Sequence, residues 1–502
     1  MAPSHTEQDF GKQVVASRSQ ARELWSLTWP AMLRNYLVCG GNTFCVALVG
    51  WWDGANVAHY DGAGLGKMYS NITGLSIGIG LSMGLATFCS QAYGAGRGNI
   101  ENAVHLRRCS ITLVFAFLLT TVLTVFAKQL LLLLGQPPEV AETSAYFAQV
   151  QLIGLPAVWI ATAIQTVLDG IHRTRPGFYG CVVATAAQIL ACWVFLHPAL
   201  LNWGYIGMAW STVLSNFIQL FIMVLYVVTQ GLDKEVWLST DAEEESATFA
   251  GVLDFLIVTL PSAAMMWMEW WSFEGLTMLV GLLPNATVNL AAHSTLFNTV
   301  VVFYMTYTGL STAVCSLVGR NIGAADSWRN RRLVVLSLGL CFSVSALVST
   351  SLWLCRTEVA VLFTPNDRRV VEVVEQSIMG ICLSIPTYGA LMTLYGVCRG
   401  ASLQSSAVYG TCIGYCIIGF PAAWLCGKHL GWPTPLMGVW VGNVAALVFA
   451  ATWVIILVLR VDWDQISSVN GKSSDQMRDA SAPLLDNQHQ DEDLLALEEG
   501  QP

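Results

Sequence analysis

The stretch LDGIHRTRPGFYGC, residues 168–181, has a second copy later in the chain. The second copy begins at Cys398 and reads CRGASLQSSAVYGTC, and the two align without gaps over the first copy's length. Three identities share one offset of 230 residues: Gly170 with Gly400, Tyr179 with Tyr409 and Gly180 with Gly410. Weak internal similarity at one constant offset indicates an internal structural repeat.

Two further pairs of segments repeat in the same order. Around Gly84 the chain reads GLATFCSQAYGAGRGNIENAVHLRR, and around Gly309 it reads GLSTAVCSLVGRNIGAADSWRNRR. The segments GYIG at 204–207 and PLMG at 435–438 precede Trp210 and Trp440 at nearly the same offset. We therefore predict that the chain consists of two duplicated halves.

The composition is that of a polytopic membrane protein. Of the 502 residues 54% are hydrophobic and only 11% are charged, whereas soluble domains carry about 25% charged residues. The fourteen cysteines lie mostly in apolar runs, and their spacing does not match a zinc site. The formal net charge is −9 and there is no basic field, which excludes a nucleic-acid partner.

Twelve apolar segments have the length needed to cross a bilayer. They lie at 26–50, 68–92, 110–134, 144–168, 177–197, 204–230, 250–283, 288–314, 332–355, 374–398, 405–427 and 434–459, and the third could end nearer Val125. With a cytoplasmic N-terminus, the inside segments hold seventeen Lys and Arg and the outside segments hold six. Because cytoplasmic loops are enriched in basic residues, this asymmetry predicts that both termini are cytoplasmic.

The duplication and the spans together predict the domain organisation. We expect a cytoplasmic N-terminal segment at 1–23, an N-lobe of spans one to six at 24–230 and an acidic cytoplasmic connector at 231–249. A C-lobe of spans seven to twelve follows at 250–460, and then a disordered acidic cytoplasmic tail at 461–502. The predicted fold class is an all-α membrane protein with twelve transmembrane helices in two pseudo-symmetric six-helix lobes. Two such bundles leave a cleft between them near the membrane midplane.

Span seven contains two acidic residues at membrane depth. The stretch MMWMEWWSFEG, residues 265–275, carries Glu269 and Glu274, and no Lys or Arg occurs between Lys234 and Arg320. An ionised carboxylate at this depth is costly unless it is paired or hydrated, so the cheapest remedy is that it carries a proton. A spacing of five residues places the two acids on different helix faces, ~7.5 Å apart along the axis. We expect one to face the cleft and the other the interior of its own bundle, as a proton-coupling site; a pair of structural acids is the alternative.

Four motifs resemble those of the multidrug and toxic compound extrusion (MATE) family, over about Leu24 to Leu459. LATFCSQAYGAG at 85–96 resembles the second-span motif CGQA(F/Y)GAG, STAVCSLVGRNIGAAD resembles the eighth-span motif, and GVCRGASLQ resembles the signature after span ten. MEWWSFE at 268–274 matches the MEWWxxE pattern of eukaryotic members, in which both glutamates are implicated in proton-coupled export of organic cations. The resemblance implies two lobes in a V-shaped arrangement and antiport by alternating access.

The chain departs from this family's pattern in two places. Animal members carry a further glutamate in span eight, where this chain has about Leu296, near His293 and Asn298. Family members usually have an acid in span ten, within a (F/Y)(D/E)xL-type motif. The corresponding stretch here is PTYGALMTLYGVCRG, and no acid lies between Glu375 and Arg399. We therefore expect the two acids of span seven to carry the coupling.

Five further residues complete the predicted proton-coupling and substrate-binding set: Trp270, Trp271, His293, Asn298 and Gln91. Together with Trp267, the two tryptophans flank the first acid and would attract a flat cation, or they only pack. His293 has a side chain that titrates near neutral pH, and the alternative is a hydrogen-bonded packing residue. Asn298 and Gln91 lie in apolar spans and must find polar partners.

Two other charged residues in the N-lobe are not candidates for this set. Arg34 lies within span one, where it either snorkels to the interface or pairs with an acid of the N-lobe. Asp169 is predicted at the inside end of span four, where a charge costs little.

We predict a secondary active antiporter that exports organic cations, drugs or secondary metabolites in exchange for protons. The expected partners are a small organic substrate, protons and the lipid bilayer, and we expect a monomer in the plasma membrane or in a vacuolar or lysosomal membrane. There is no P-loop, HExxH or paired CxxC motif, so we expect neither an enzyme nor a cofactor. The alternatives are a Na⁺-coupled exporter, a lipid or oligosaccharide flippase of the same superfamily, a major-facilitator-like transporter and a non-transporting receptor.

Overall fold

The structure is a computed structural model that describes residues 5–52, 57–237, 248–363, 367–430 and 432–466. Every regular element in these ranges is a helix. Most of the predicted acidic connector lies outside the described residues, at 238–247, and so does the predicted disordered tail from residue 467 onward.

The helices follow one another as the duplication predicts. The first half contains α1 His5–Trp52, α2 Val57–Ser70, α3 Ser76–Gly94, α4 Gly98–Val125, α5 Ala127–Leu133, α6 Pro138–Gly170, α7 Arg175–Leu196, α8 Ile206–Thr229 and α9 Asp233–Val236. The second half contains α10 Phe249–Gly281, α11 Ala286–Gly323, α12 Ser327–Leu354, α13 Arg356–Phe363, α14 Arg368–Gly400, α15 Gln404–Cys412, α16 Phe420–Lys428 and α17 Pro435–Arg460. Short π-helical segments at Asn71–Leu75 and Ile413–Gly419 join α2 to α3 and α15 to α16.

These helices form the twelve predicted spans. In order, the spans are α1, α2 with α3, α4, α6, α7, α8, α10, α11, α12, α14, α15 with α16, and α17. Eleven of them are long and apolar enough to cross a membrane among the described residues; α1 differs because Arg34, Asn35 and Asn42 interrupt its apolar stretch. The third span ends at Val125, the earlier of the two ends that the sequence allowed.

Prolines inside the helices repeat with the duplication. Pro30 in span one corresponds to Pro261 in span seven, and Pro156 in span four corresponds to Pro386 in span ten. An interior proline breaks a backbone hydrogen bond, which neighbouring helices can compensate inside a membrane bundle. The two halves therefore share irregularities within their helices as well as their sequence motifs.

The repeated stretches at 168–181 and 398–412 end two helices in the same way. His172 and Ser402 both adopt left-handed backbone angles, with φ of 63° and 58°. The amide of Arg173 donates to the carbonyl of Leu168 at 2.7 Å, and the amide of Leu403 donates to that of Cys398 at 2.8 Å. This pattern is a Schellman cap, which satisfies the last carbonyls of a helix.

Two hydrogen bonds at pseudo-symmetric positions join the two lobes. Thr87 in span two donates to the carbonyl of Arg399 in span ten at 2.8 Å. Its counterpart Ser316 in span eight donates to the carbonyl of Asp169 in span four at 2.7 Å. These contacts lie on the side of the molecule where α1 begins and α17 ends, and we call that side the terminal face.

Glycines bring spans two and eight into backbone contact at the terminal face. A Cβ atom placed on Gly94 would lie 2.0 Å from the carbonyl oxygen of Arg320. A Cβ atom on Gly323 would lie 2.1 Å from the carbonyl oxygen of Gln91. Small residues allow this close approach between membrane helices, so the lobes are closed at the terminal face.

The contact between the lobes ends about halfway along the spans. Tyr36 of span one and Thr306 of span eight join their hydroxyls at 2.6 Å, and Trp267 of span seven donates to the carbonyl of Ser76 at 2.9 Å. One turn farther from the terminal face, a Cβ atom on Gly40 would have no neighbour within 4 Å. A cleft thus opens between spans one and eight, towards the face opposite the terminal face.

Candidate functional site

Span seven places its two acids on different sides. The side that packs against the N-lobe is marked by Thr259, Ala263 and Trp267, which face Gly84 and Gly80 of span two. Helical periodicity continues this stripe outward through positions 271, 274 and 278. Glu274 therefore lies on the side of the helix that faces the N-lobe, beyond the point where the lobes separate, whereas position 269 does not belong to the stripe.

Glu269 lies inside the C-lobe. Its side chain is buried, and residue 269 is only 6% exposed. Tyr388 of span ten donates its hydroxyl to Glu269 Oε1 at 2.5 Å. The guanidinium of Arg399 acts on this carboxyl through space, but no ion pair joins Glu269 to a described residue. Among the residues that the structure describes, the acid thus has one direct partner, which carries no charge.

Tyr388 is itself held in place by aromatic packing. The ring of Tyr304 stacks on it with 3.5 Å between the centroids and 11° between the planes. The hydroxyl of Tyr304 donates to Ser384 Oγ at 3.2 Å, and both tyrosines are 2% exposed. The packed core therefore holds the Tyr388 hydroxyl in its position beside Glu269 and restricts rotation of this side chain.

The structure explains why span ten lacks an acid. In the stretch PTYGAL, Gly389 occupies the position where the (F/Y)(D/E)xL-type motif has its carboxylate. A Cβ atom on Gly389 would lie 2.7 Å from Cys341 Sγ and 2.8 Å from a ring carbon of Tyr307. No acidic side chain fits there, and the neighbouring Tyr388 provides the polar contact instead. This tyrosine directly precedes the glycine in the sequence, but its hydrogen bond to Glu269 was not predicted.

Glu274 is half-buried and has no hydrogen bond or ion pair with any described residue. Trp271, one turn closer to the terminal face, is 41% exposed, and its ring stacks on that of Trp267 with 6.2 Å between the centroids. Trp270 is half-buried. An accessible carboxylate beside an exposed indole is an arrangement that attracts an organic cation.

Asn298 lies on the corresponding side of span eight. The contacts of Gly309 with Met32 and of Gly319 with Ser90 mark the side of this helix that faces the N-lobe. Steps of three and four residues from Gly309 lead through positions 305 and 302 to Asn298, which is exposed. The structure thus places Asn298 and Glu274 on the cleft-facing sides of adjacent spans.

His293 and Gln91 lie elsewhere. His293 is 2% exposed within the C-lobe, where its Nε2 is 3.1 Å from Thr277 Oγ1 and its ring lies near that of Trp440. This environment is that of a packing residue. Gln91 donates to the carbonyl of Gly400 at 2.8 Å, so it belongs to the lobe contact at the terminal face.

Asp169 forms a buried ion pair in the N-lobe. This differs from the prediction that it lies where a charge costs little. Asp169 is 4% exposed and is not a solvated residue at a helix end. Arg34 pairs with its Oδ2 at 3.1 Å, and Gln165 donates to its Oδ1 at 2.7 Å. Of the two possibilities for Arg34, the structure shows the pairing.

Charged residues close the terminal face. Arg320 of span eight forms an ion pair with Glu23 of α1, and its guanidinium is 3.3 Å from His172 Nδ1. Burial alone would raise the pKa of Glu23, but the hydrogen bond and charge of Arg320 outweigh it and lower the pKa. Burial, followed by the charge of Arg320, lowers the pKa of His172 to about 4. We call Glu23, Arg320 and His172 the terminal clasp.

These shifts predict that acid at the terminal face opens the clasp. The carboxylate of Glu23 stabilises closure above its ordinary pKa, and this contribution is lost as the pH falls through the lowered value. Neutral His172 favours closure, and opening allows it to bind a proton as the pH falls from 6.5 towards about 4. Because one hydrogen bond to Arg320 loses its charge, we expect Glu23→Gln to lower the ratio of closed to open molecules roughly three- to tenfold at neutral pH and to weaken its pH dependence.

Electron spin resonance distances would test this prediction. Labels at Arg175 and Ala324, one on each lobe, would report terminal-face closure after the exposed Cys355 and Cys416 are changed to serine. A Glu23→Gln protein with an unchanged distance distribution at every pH would show that the clasp does not affect closure.

Tyr388→Phe is expected to slow the transport predicted from the sequence roughly tenfold without unfolding the C-lobe, because a hydrogen bond to a carboxyl is lost while the ring stack remains. Transport rates and the thermal unfolding midpoint should be measured together. Tyr307→Phe is the control, since its hydroxyl bonds Ser345 and not the acid. Equal losses in both variants would argue against a specific role for Tyr388.

Comparison with protein families agrees with the duplication. The family model described as MatE matches residues 30–194 and again residues 261–425. The two matches have equal length and are offset by 231 residues, so each covers the same part of one half.

Curated proteins and solved structures show the same similarity. Multidrug and toxin extrusion protein 2 of Oryctolagus cuniculus is 28% identical over 449 residues, which are 88% of this chain and 71% of the relative. Multidrug and toxin extrusion protein 1 of Homo sapiens is 28% identical over 90% of this chain and 76% of its own length. The crystal structure of the eukaryotic MATE transporter AtDTX14 superposes with a TM-score of 0.80 at 22% identity, covering 91% of this chain and 99% of that chain.

Proposed function

Because the chain belongs to the MatE family of multidrug and toxin extrusion transporters, we propose that it is an antiporter that exports organic cations in exchange for protons. Its family consists of transporters rather than enzymes. The proposal adds three points to this membership: the driving ion, the class of substrate and the direction of transport.

Glu269 is the observation that carries the proposal. Its carboxyl is buried in the C-lobe with the Tyr388 hydroxyl as its one hydrogen-bond partner among the described residues. An ionised carboxylate in such a place is costly, and a proton removes that cost. Gain and loss of a proton at Glu269 would therefore change the relative free energies of the lobe arrangements, which is what coupling requires.

Glu274 is the proposed cation-binding acid. It lies on the cleft-facing side of span seven, half-buried and without a partner among the described residues, next to the exposed Trp271. A flat cation in the cleft would be attracted by the charge of the carboxylate and would stack on the face of the indole ring. Asn298 on span eight supplies a polar group on the adjoining side.

We propose the following cycle. Protonation of the acids of span seven from the outside or the lumen, where the cleft is open, weakens the hold on the cation and releases it there. The lobes then rock, and deprotonation towards the cytoplasm restores an anionic cleft. We propose that both termini are cytoplasmic and that the membrane is the plasma membrane or a vacuolar or lysosomal membrane. The protein is proposed to act as a monomer.

Ion-driven flux in proteoliposomes tests this proposal. Vesicles with an acidic interior should accumulate labelled tetraethylammonium from a neutral medium, and an ionophore that collapses the pH gradient should abolish accumulation. A matched set of vesicles with a Na⁺ gradient and no pH gradient should show no accumulation. Uptake driven by Na⁺ alone would replace the proton with Na⁺, and binding without uptake would favour a receptor.

A further inference from the structure

Lys67 is a cation within the N-lobe that has no partner among the described residues. It lies in α2, which forms the first part of span two, about ten residues from the start of that helix. Its side chain is half-buried, and it makes no hydrogen bond or ion pair with any described residue. The buried ion pair of the same lobe, Arg34 with Asp169, balances its own charge and leaves none for Lys67.

The described groups that act on Lys67 do not balance its charge. They are the thiols of Cys45, Cys39 and Cys192, and no carboxylate is among them. These cysteines are free and come from spans one and five. An ammonium inside a membrane bundle without a counter-charge among the described residues indicates a functional site, and we take a bound substrate to supply the opposite charge.

Hydrogen-bond donors lie near the same level of the bundle. Asn42 is one turn from Cys45, and its Oδ1 accepts from Gln188 at 3.1 Å, which leaves its amide nitrogen to donate. Asn71 is one turn from Lys67, is half-buried and has no hydrogen-bond partner among the described residues. The side of α2 opposite its contact with span four is open, since a Cβ atom on Gly64 would have no neighbour within 4 Å.

We propose that Lys67, with Asn42 and Asn71, forms a binding site for the carboxylate of an organic substrate. An ammonium and two amide NH₂ groups are donors, and a carboxylate is an acceptor with two oxygens, so their hydrogen-bonding capacities match. The site widens the substrate range from simple cations to molecules that carry a carboxylate as well as an amine. It rests on the proposed function only in that the bound molecule is transported.

Two dyes that differ in one group provide the test. Rhodamine 123 is a cation with a methyl ester, and rhodamine 110 has the free carboxylate on the same skeleton. In proteoliposomes we expect Lys67→Met to slow exchange of rhodamine 110 about tenfold and to change that of rhodamine 123 less than about twofold, while Lys67→Arg keeps most of the rhodamine 110 exchange. Lys128→Met is the control, because Lys128 is an exposed residue paired with Glu142.

Direct binding separates this inference from the proposed function. Calorimetric titration of the purified protein with benzoate should give heat of binding that Lys67→Met abolishes, whether or not either dye is transported. Equal losses for both dyes, or benzoate binding that survives Lys67→Met, would overturn the proposal. Displacement of benzoate by an equal concentration of chloride would also overturn it, because the site would then bind any small anion.

Discussion

Glu269→Gln is expected to stop proton-driven export, lowering pH-gradient-driven uptake of tetraethylammonium into proteoliposomes by roughly 100-fold or more. Glutamine has nearly the same shape, and its side-chain oxygen can still accept the hydrogen bond from Tyr388. The change therefore removes the titrating proton while the packing around Tyr304 and Tyr388 stays intact. We expect the variant to fold, to bind the cation and to fail only in coupled transport.

Glu142→Gln is the matched control for this prediction. Glu142 is an exposed acid of the same chemical type, paired with Lys128 at 2.7 Å. Its variant should transport at the rate of the unchanged protein. If Glu269→Gln retained gradient-driven uptake at the control rate, Glu269 would have no part in coupling.

Gly94→Ala is expected to have the second large effect, because it prevents the lobes from closing at the terminal face. The added Cβ atom would lie 2.0 Å from the carbonyl oxygen of Arg320, which is a backbone atom with little freedom to move. Overpacking of this kind costs about 1–3 kcal/mol, and that corresponds to a shift of roughly 5- to 150-fold in the balance between lobe arrangements. The same fold of each lobe would remain, since the clash lies between them.

The label pair at Arg175 and Ala324 measures the expected opening directly. The Gly94→Ala protein should show a longer distance than the unchanged protein and transport that falls in proportion to the lost closed state. Gly40→Ala is the control, because the new methyl group meets no atom within 4 Å and should change neither quantity. A closed-state distance in Gly94→Ala would mean that spans two and eight can adjust without separating the lobes.

The terminal clasp and the glycine contact make separate contributions to closure of the terminal face. The glycines allow the backbones of spans two and eight to touch, and this shape requirement does not depend on pH. The ion pair of Glu23 with Arg320, together with neutral His172, adds a contribution that acid removes. Acid at the terminal face would therefore favour opening there, on the side that we propose to be cytoplasmic and at which the proposed cycle releases its protons.

Sequence features that repeat along the chain were sufficient to predict the architecture. The apolar segments and the 230-residue offset predicted the spans and the two lobes, and the helices and the family match confirm them. The five-residue spacing in span seven predicted that Glu269 and Glu274 would lie on different helix faces, because a helix turns by a constant angle at each residue. The roles of the predicted site residues stay predictions.

The partners of these residues were not accessible from the sequence. Tyr388 meets Glu269 across 119 positions of chain, and Arg34 meets Asp169 across 135. Gln91 in the lobe contact and His293 in a packed core likewise owe their positions to contacts between separate helices. No local periodicity encodes which side chains meet when separate helices pack.

By itself, then, the sequence determined that this protein is a duplicated bundle of membrane helices with two acids on different faces of one span. Burial of apolar segments and the fixed pitch of the helix are local properties, so residue order suffices to predict them. The tertiary structure decided which acid is buried beside a tyrosine and why position 389 of span ten has room only for glycine. It also decided that Lys67 has no counter-charge among the described residues. Those facts depend on distances between helices far apart in the chain, and only packing sets such distances.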